Sequence, residues 1–152
     1  MTTFDHSARV RPEWIDYNGH MQDAYYGLVF SHAVDAFQDA VGFDAAYRAA
    51  TGCTIYLLEN HTRFLREVRP GAALSLRTHL IAFNARRFHL WSEMRVADAP
   101  VAISEMIEMH VRQHPEPHAA DIPPDIAARL AAACLDAAAI AALACRARPL
   151  SI

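Results

Sequence analysis

Asp16, Asn18 and His20 stand two residues apart in the stretch EWIDYNGHMQDAYYGLVF, residues 13–30, and lead straight into an apolar run. A carboxylate, an amide and an imidazole so spaced are groups that activate a water or attack a carbonyl. The run that follows reads as a helix from Asp23. The first turn of a helix carries unpaired N–H groups and the positive end of the dipole. With Asp16 as base or nucleophile and the N–H groups of Asp23 and Ala24 holding an oxyanion, the stretch is suited to chemistry at an activated carbonyl. Gly19 lets the loop turn and a ligand come close. Asn18 and His20 would orient Asp16 or the water. The competing expectation is structural: Asp16 and Asn18 cap the helix or close a turn, and His20 is a hydrogen-bonded structural group.

A second group lies in LLENHTRF, residues 57–64, where Glu59, Asn60 and His61 interrupt an apolar strand. An acid in such a strand must be solvated, paired or functional. Glu59 is therefore the second candidate carboxylate, with an ion pair to Arg63 or Arg66 as the alternative. His61 is a candidate contact beside it. Trp14, Tyr17, Tyr25, Tyr26, Tyr56 and Trp91 could line an apolar pocket whose ring faces would suit a quaternary ammonium, or could pack the core. No metal is expected: on a strand His110 and His114 would sit ~13 Å apart. Cys53, Cys134 and Cys145 have no metal-like or redox-like spacing.

These residues need elements to hold them. The chain has 152 residues, 53% of them hydrophobic, enough for one domain with a core. A net charge of −3 offers no footprint for nucleic acid and no polybasic membrane patch, though Arg66, Arg69, Arg77, Arg86 and Arg87 could form a local phosphate-binding rim. The apolar segment 126–145 is broken by Arg129 and Asp136 and makes a poor membrane span, so no membrane partner is expected. The amino terminus lacks the apolar stretch of a signal peptide, which makes a cytoplasmic protein the expectation.

Phe4 to Val10 reads as a strand. A helix from Asp23 to about Val41, apolar on most sides, should be buried all round, with Ala24, Leu28, His32 or Ala33, Phe37 and Val41 on its stripe. Asp44 to Ala50 reads as a short helix. Strands follow over 53–68, 74–81, 88–96 and 101–111, with Pro70-Gly71 suited to a type II turn. An alanine-rich helix is expected over about 125–144. The order gives an α+β fold in which a curled antiparallel sheet wraps one long helix. Residues 1–118 would form the domain and 119–152 a helical extension of it. Outward-facing His89 and Trp91 are bulky for solvent, which predicts a homodimer or homotetramer.

The segments VRPEWIDYNGHMQDAYYGLVF and TGCTIYLLENHTRFLREVRPGAAL resemble the hotdog acyl-CoA thioesterases of the 4-hydroxybenzoyl-CoA type. The nearest likeness is to the betainyl-CoA thioesterases associated with carnitine dehydrogenase. It covers residues 8–112. Asp16, Asn18 and His20 also match the D-x-N-x-H signature of plant acyl-carrier thioesterases, and Gln22 stands where an asparagine is usual. The resemblance implies the hotdog fold with an extra C-terminal helix, hydrolysis of an acyl-CoA thioester without a cofactor, and Asp16 in the place of the catalytic aspartate. It also implies a site at a subunit interface, which Glu59 would reach from the neighbouring subunit. Two other expectations remain: a non-catalytic acyl-CoA-binding module, and a hydratase or dehydratase on the same fold.

Overall fold

The computed structural model describes residues 2–147; Met1 and residues 148–152, the end of the expected extension, lie outside the described residues. In chain order the elements are β1 (Phe4–Arg9), α1 (Asp23–Val41), α2 (Ala45–Thr51), β2 (Cys53–Phe64), β3 (Ala73–Phe83), β4 (Arg87–Val96), β5 (Ala99–Arg112), β6 (His118–Ala119), α3 (Pro124–Ala133) and α4 (Ala137–Ala141). All strands pair antiparallel, in the order β1-β3-β4-β5-β2, and the two-residue β6 adds to the end of β5.

Short turns set this order. Gly71, at φ 75°, takes the left-handed position after Pro70, and the Ala72 N–H donates to the Arg69 carbonyl, closing the expected turn into β3. The β3–β4–β5 meander follows as read. Its second turn is centred on Ala97 and Asp98, so Pro100 lies within β5. β2 crosses to the far side of β5 and forms a sheet edge.

The inner face of the sheet holds α1. Tyr26, Val29, Phe30, Ala33, Val34, Phe37 and Val41 are buried against Leu74, Leu76, Leu80, Phe88, Leu90 and Met94. Burial all round the helix is not observed. Of the expected stripe Ala33, Phe37 and Val41 are buried and Ala24, Leu28 and His32 are exposed, with Ser31, Asp35 and Asp39 on the same open side. A sheet that curls on one side of a helix covers only that side. Composition told that the helix is apolar, and the sheet decided which flank is covered.

The outer face differs more from expectation. The alanine-rich segment is two helices, not one. It breaks at Leu135, whose N–H donates to the Leu80 carbonyl at the β3 bulge, and Asp136 then caps α4 by accepting from the Ala139 N–H. The tail after the break straps the sheet. Ile81, Trp91, Ile103 and Leu135 form a second apolar cluster with Ile140 and Leu143, and Trp91 Nε1–H donates to the Ala144 carbonyl. Beside it Glu105 is buried and accepts from His89 Nε2–H at 2.8 Å, Arg146 Nε–H at 2.6 Å and the Ala147 N–H at 2.7 Å. His89 and Trp91 are thus covered by the chain's own tail. The bulk that suggested association is satisfied internally.

Burial alone would raise the Glu105 carboxyl. The three donors outweigh it and hold the group at about 2, against 4.5 when unperturbed. Its folded value is depressed, so the cluster stabilises the protein above about pH 4.5 and loses that contribution as pH falls toward 2. Glu105→Gln should cost about 3 kcal/mol, as expected for a broken buried pair, and should remove most of the acid sensitivity in that window. Urea melts at pH 7 and pH 3, with Trp91 fluorescence reporting release of the strap, check both effects.

Candidate functional site

The loop before α1 is tied at both ends. Ile15 and Met21 form an isolated antiparallel bridge, Gln22 N–H donates to the Trp14 carbonyl, and Met21 N–H to the Val68 carbonyl. Inside it the Asp16 N–H donates to the His20 carbonyl and the Gly19 N–H to the Asp16 carbonyl. Gly19 sits at φ 79°, where a side chain is strained although its Cβ would meet open space. Gly19→Ala should therefore cost only the backbone term, about 1 kcal/mol. A fall in melting temperature of about 2–4 °C would register it.

The Asp16 side chain accepts the Asn18 N–H at 2.8 Å through Oδ1, an Asx turn. Its Oδ2 has no partner among the described residues, and the residue is half-buried. Asn18 acts on it through the backbone, not through its amide. The His20 ring is directed elsewhere: its Nε2 lies 3.4 Å from Glu67 Oε1. Neither Asp16 nor Asn18 caps α1. The cap position is Gln22, which makes no side-chain cap bond, so the first-turn N–H groups of Asp23 and Ala24 face outward without acceptors among the described residues.

The aromatic residues do not converge. Trp14 is buried and stacks on Tyr25 at 5.5 Å, with the Arg11 guanidinium over its ring, so its faces are occupied. Tyr17 is 98% exposed on the loop. Trp91 lies on the outer face beneath the strap.

Glu59 and His61 are separated from Asp16 by the sheet. A bulge between Leu57 and Glu59 shifts the alternation of β2. Leu57 and Asn60 pair with Glu108 and Met106 and face α1, while Glu59 and His61 pair with Ile107 and Glu105 and face outward. Among the described residues Glu59 makes no ion pair with Arg63 or Arg66. His110 has both ring nitrogens engaged: Nδ1–H donates to the Ala120 carbonyl, and Nε2 accepts the Tyr47 hydroxyl at 2.7 Å.

Along the uncovered flank of α1 runs a groove. Near the helix start it is an open hollow walled by Asp23, Tyr26, Phe64 and Arg66. Farther on it deepens into a cleft of about 160 Å³ between α1, β2 and β5, lined among others by Gly27, Ser31, Asp35, Gln38, Asn60 and Glu108. Sequence reading missed Asp35, Gln38 and Glu108. The signal was the strand ISEMIEMHV, where Glu105 and Glu108 stand three apart in an apolar run, so each must face a different side of the sheet. Glu108 is 3% exposed. Burial, and then the charge of Asp35, push its carboxyl up to about 7.

A curled antiparallel sheet that holds one long helix is the architecture of the hotdog thioesterases. The profile of the thioesterase-like superfamily matches residues 10–130, and the chain belongs to that superfamily. It is a thioester hydrolase of the hotdog fold. It is 40% identical over 113 residues to a betainyl-CoA thioesterase of Pseudomonas aeruginosa, covering 73% of this chain and 70% of the relative. It is also 40% identical over 107 residues to an L-carnitine dehydrogenase/betainyl-CoA thioesterase of Agrobacterium fabrum, of which it spans 22% of the length. Among solved structures, a putative thioesterase from Pseudomonas putida superposes with a TM-score of 0.77 at 28% identity, covering 100% of this chain and 98% of that one. A Staphylococcus aureus protein in complex with CoA gives 0.79 at 28% identity, over 86% of this chain and 83% of the other.

Proposed function

We propose that this chain cleaves a short acyl-CoA thioester to the free acid and CoA, with betainyl-CoA as the leading substrate, in the cytoplasm and without a cofactor. The observation that carries the reading is an Asp16 Oδ2 without a partner among the described residues, in the loop that leads into a helix start whose first N–H groups likewise have no acceptor among them. In this mechanism Asp16 attacks the carbonyl or takes the proton of an attacking water. The N–H groups of Asp23 and Ala24 receive the oxyanion, and the helix dipole adds to the attraction. The leaving thiolate is a stabilised anion and needs no strong acid. Gly19 supplies clearance, and Asn18 holds Asp16 through its N–H. His20 acts on Glu67 rather than on the carbonyl, and Arg66 at the rim suits a CoA phosphate. The substrate is suggested by the names of the two curated relatives.

Asp16→Asn keeps an oxygen for the Asx turn and removes the carboxylate. It should lower thioester turnover a hundredfold or more while the melting temperature stays within a few degrees. Free thiol release from a panel of acyl-CoAs measures it. Near-normal rates in the folded variant would remove Asp16 from the mechanism. CoA binding without thiol release from any substrate would leave a binding module.

We further propose a homodimer through β2. This strand pairs with β5 on one side only, and its surroundings expose Leu57, Leu58, Phe64 and Leu65. Asp23 and Tyr26 lie by Phe64 and Leu65, and Val34 and Gln38 lie by Ile55, so α1 runs antiparallel to β2. A twofold axis at the middle of β2 then sets the two α1 helices side by side and antiparallel. The uncapped start of one lies level with the far half of the other. Sedimentation should give a dimer at micromolar concentration, and Leu58→Lys should shift it toward monomer with loss of activity. A stable, active wild-type monomer would end this proposal.

A further inference from the structure

Glu108 is the most unusual ionisable group of the inner face. Its side chain has no hydrogen-bond or ion-pair partner among the described residues, and no fully buried side-chain oxygen is left unsatisfied, so its carboxylate opens onto the cleft. Asp35 lines the same cleft from α1 and is close enough to repel it. Gln38, also buried, adds a side-chain amide with no partner among the described residues. No Lys, Arg or His lines the cleft. A buried carboxylate that opens onto a cleft, with an exposed second carboxylate on its wall and no cation beside it, is costly unless a ligand brings the positive charge.

The remaining walls say which cation. Phe30, Val34, Ile55 and Met106 give the cleft apolar surface beside the acids, interleaved with uncharged polar side chains. A hard divalent ion wants a cluster of hard anionic ligands, and among the described residues no group of three or more His, Cys, Asp or Glu could hold one. A methylated ammonium presents methyl groups to such walls, a charge to the carboxylates and a face to Phe30. The geometry points to Glu108 and Asp35 as the residues that select a quaternary ammonium carried on the acyl part of the thioester.

This inference rests on the proposed thioesterase reading and on the β2 dimer. Along one helix, Asp35 is twelve residues from Asp23, ~18 Å at 1.5 Å per residue, too far for a compact acyl group. Across the proposed twofold axis, the start of the second α1 would lie level with the half of the helix that carries Asp35, so a thioester held there would place a short cationic acyl group toward this cleft.

The charge state gives a signature. On α1 the charged group facing Glu108 is Asp35. β2 presents Leu57 and Asn60, β4 presents Phe88, and the neighbouring ionisable group on β5 is His110, whose nitrogens are engaged. Without a ligand Glu108 binds its proton up to about pH 7. The cation prefers the carboxylate, so its binding must strengthen as pH rises through 7.

The experiment compares betainyl-CoA with 3,3-dimethylbutyryl-CoA, a neutral analogue of the same shape, in the wild type, Glu108→Gln and Asp35→Asn. The wild type should prefer the cationic substrate at least tenfold in kcat/KM at pH 8, and less at pH 6. Each substitution should cut that ratio about tenfold, and Glu108→Gln should abolish its pH dependence. An unchanged ratio in both variants, or equal losses on both substrates, overturns the assignment. Calorimetric titration with tetramethylammonium separates this inference from the reading beneath it. Glu108-dependent binding in a protein that hydrolyses no acyl-CoA would refute the thioesterase function and keep the cation site. Hydrolysis with neither cation binding nor cationic preference would do the reverse.

Discussion

One helix has to cover the concave face of a five-strand curl, and it covers only part of it. The stripe from Tyr26 to Val41 packs on β1 and β3, with Phe37 reaching Phe88 of β4, and the helix flank toward β2 stays open. Much else follows from that shortfall. The groove exists because β2 and β5 extend beyond the reach of α1. The helix start is left open because nothing among the described residues bonds over it: the loop before α1 is bonded to itself and to Val68, and the first-turn N–H groups of Asp23 and Ala24 have no acceptor there. Ser31 and Asp35 are tolerated on a central helix because their flank is not in the core.

The opposite face of the sheet meets the same shortage of cover by other means. Ile81, Trp91 and Ile103 could not face water as a group, and the tail after Leu135 closes over them. Glu105 and Glu108 show how far surroundings separate two identical side chains on one strand. Glu105 faces the strap, meets three donors and is held at about 2. Glu108 faces the groove, meets Asp35 and no donor, and is pushed to about 7. Both are buried. The difference is the company each keeps: a satisfied buried charge secures the strap, and an unsatisfied one is left facing a cleft.

The site and the fold are coupled through β2. Its bulge at Leu58 turns Asn60 toward the groove and sends Glu59 and His61 to the other side. Its outer edge carries no strand among the described residues, and Leu57, Leu58, Phe64 and Leu65 are exposed along it. A single irregularity in the ladder thus sorts which of three adjacent polar residues lines the groove.

Local chemistry was legible in the sequence wherever neighbours along the chain decide it. The Asx turn at Asp16, the left-handed Gly19 and Gly71, the helix from Asp23 and the β3–β4–β5 meander depend on residues a few positions apart, and their types specify them. The pattern of apolar periods was enough for the α+β class. What it could not supply is which apolar side meets which. The covered flank of α1, the bulge that reverses β2 and the break at Leu135 are set by contacts between residues dozens of positions apart. The same holds for the two glutamates: the sequence shows acids in an apolar strand, and only packing says that one meets an arginine and the other an aspartate. Residue type determines what a group can do, and tertiary contact determines the dielectric and the charges around it, which decide what it does.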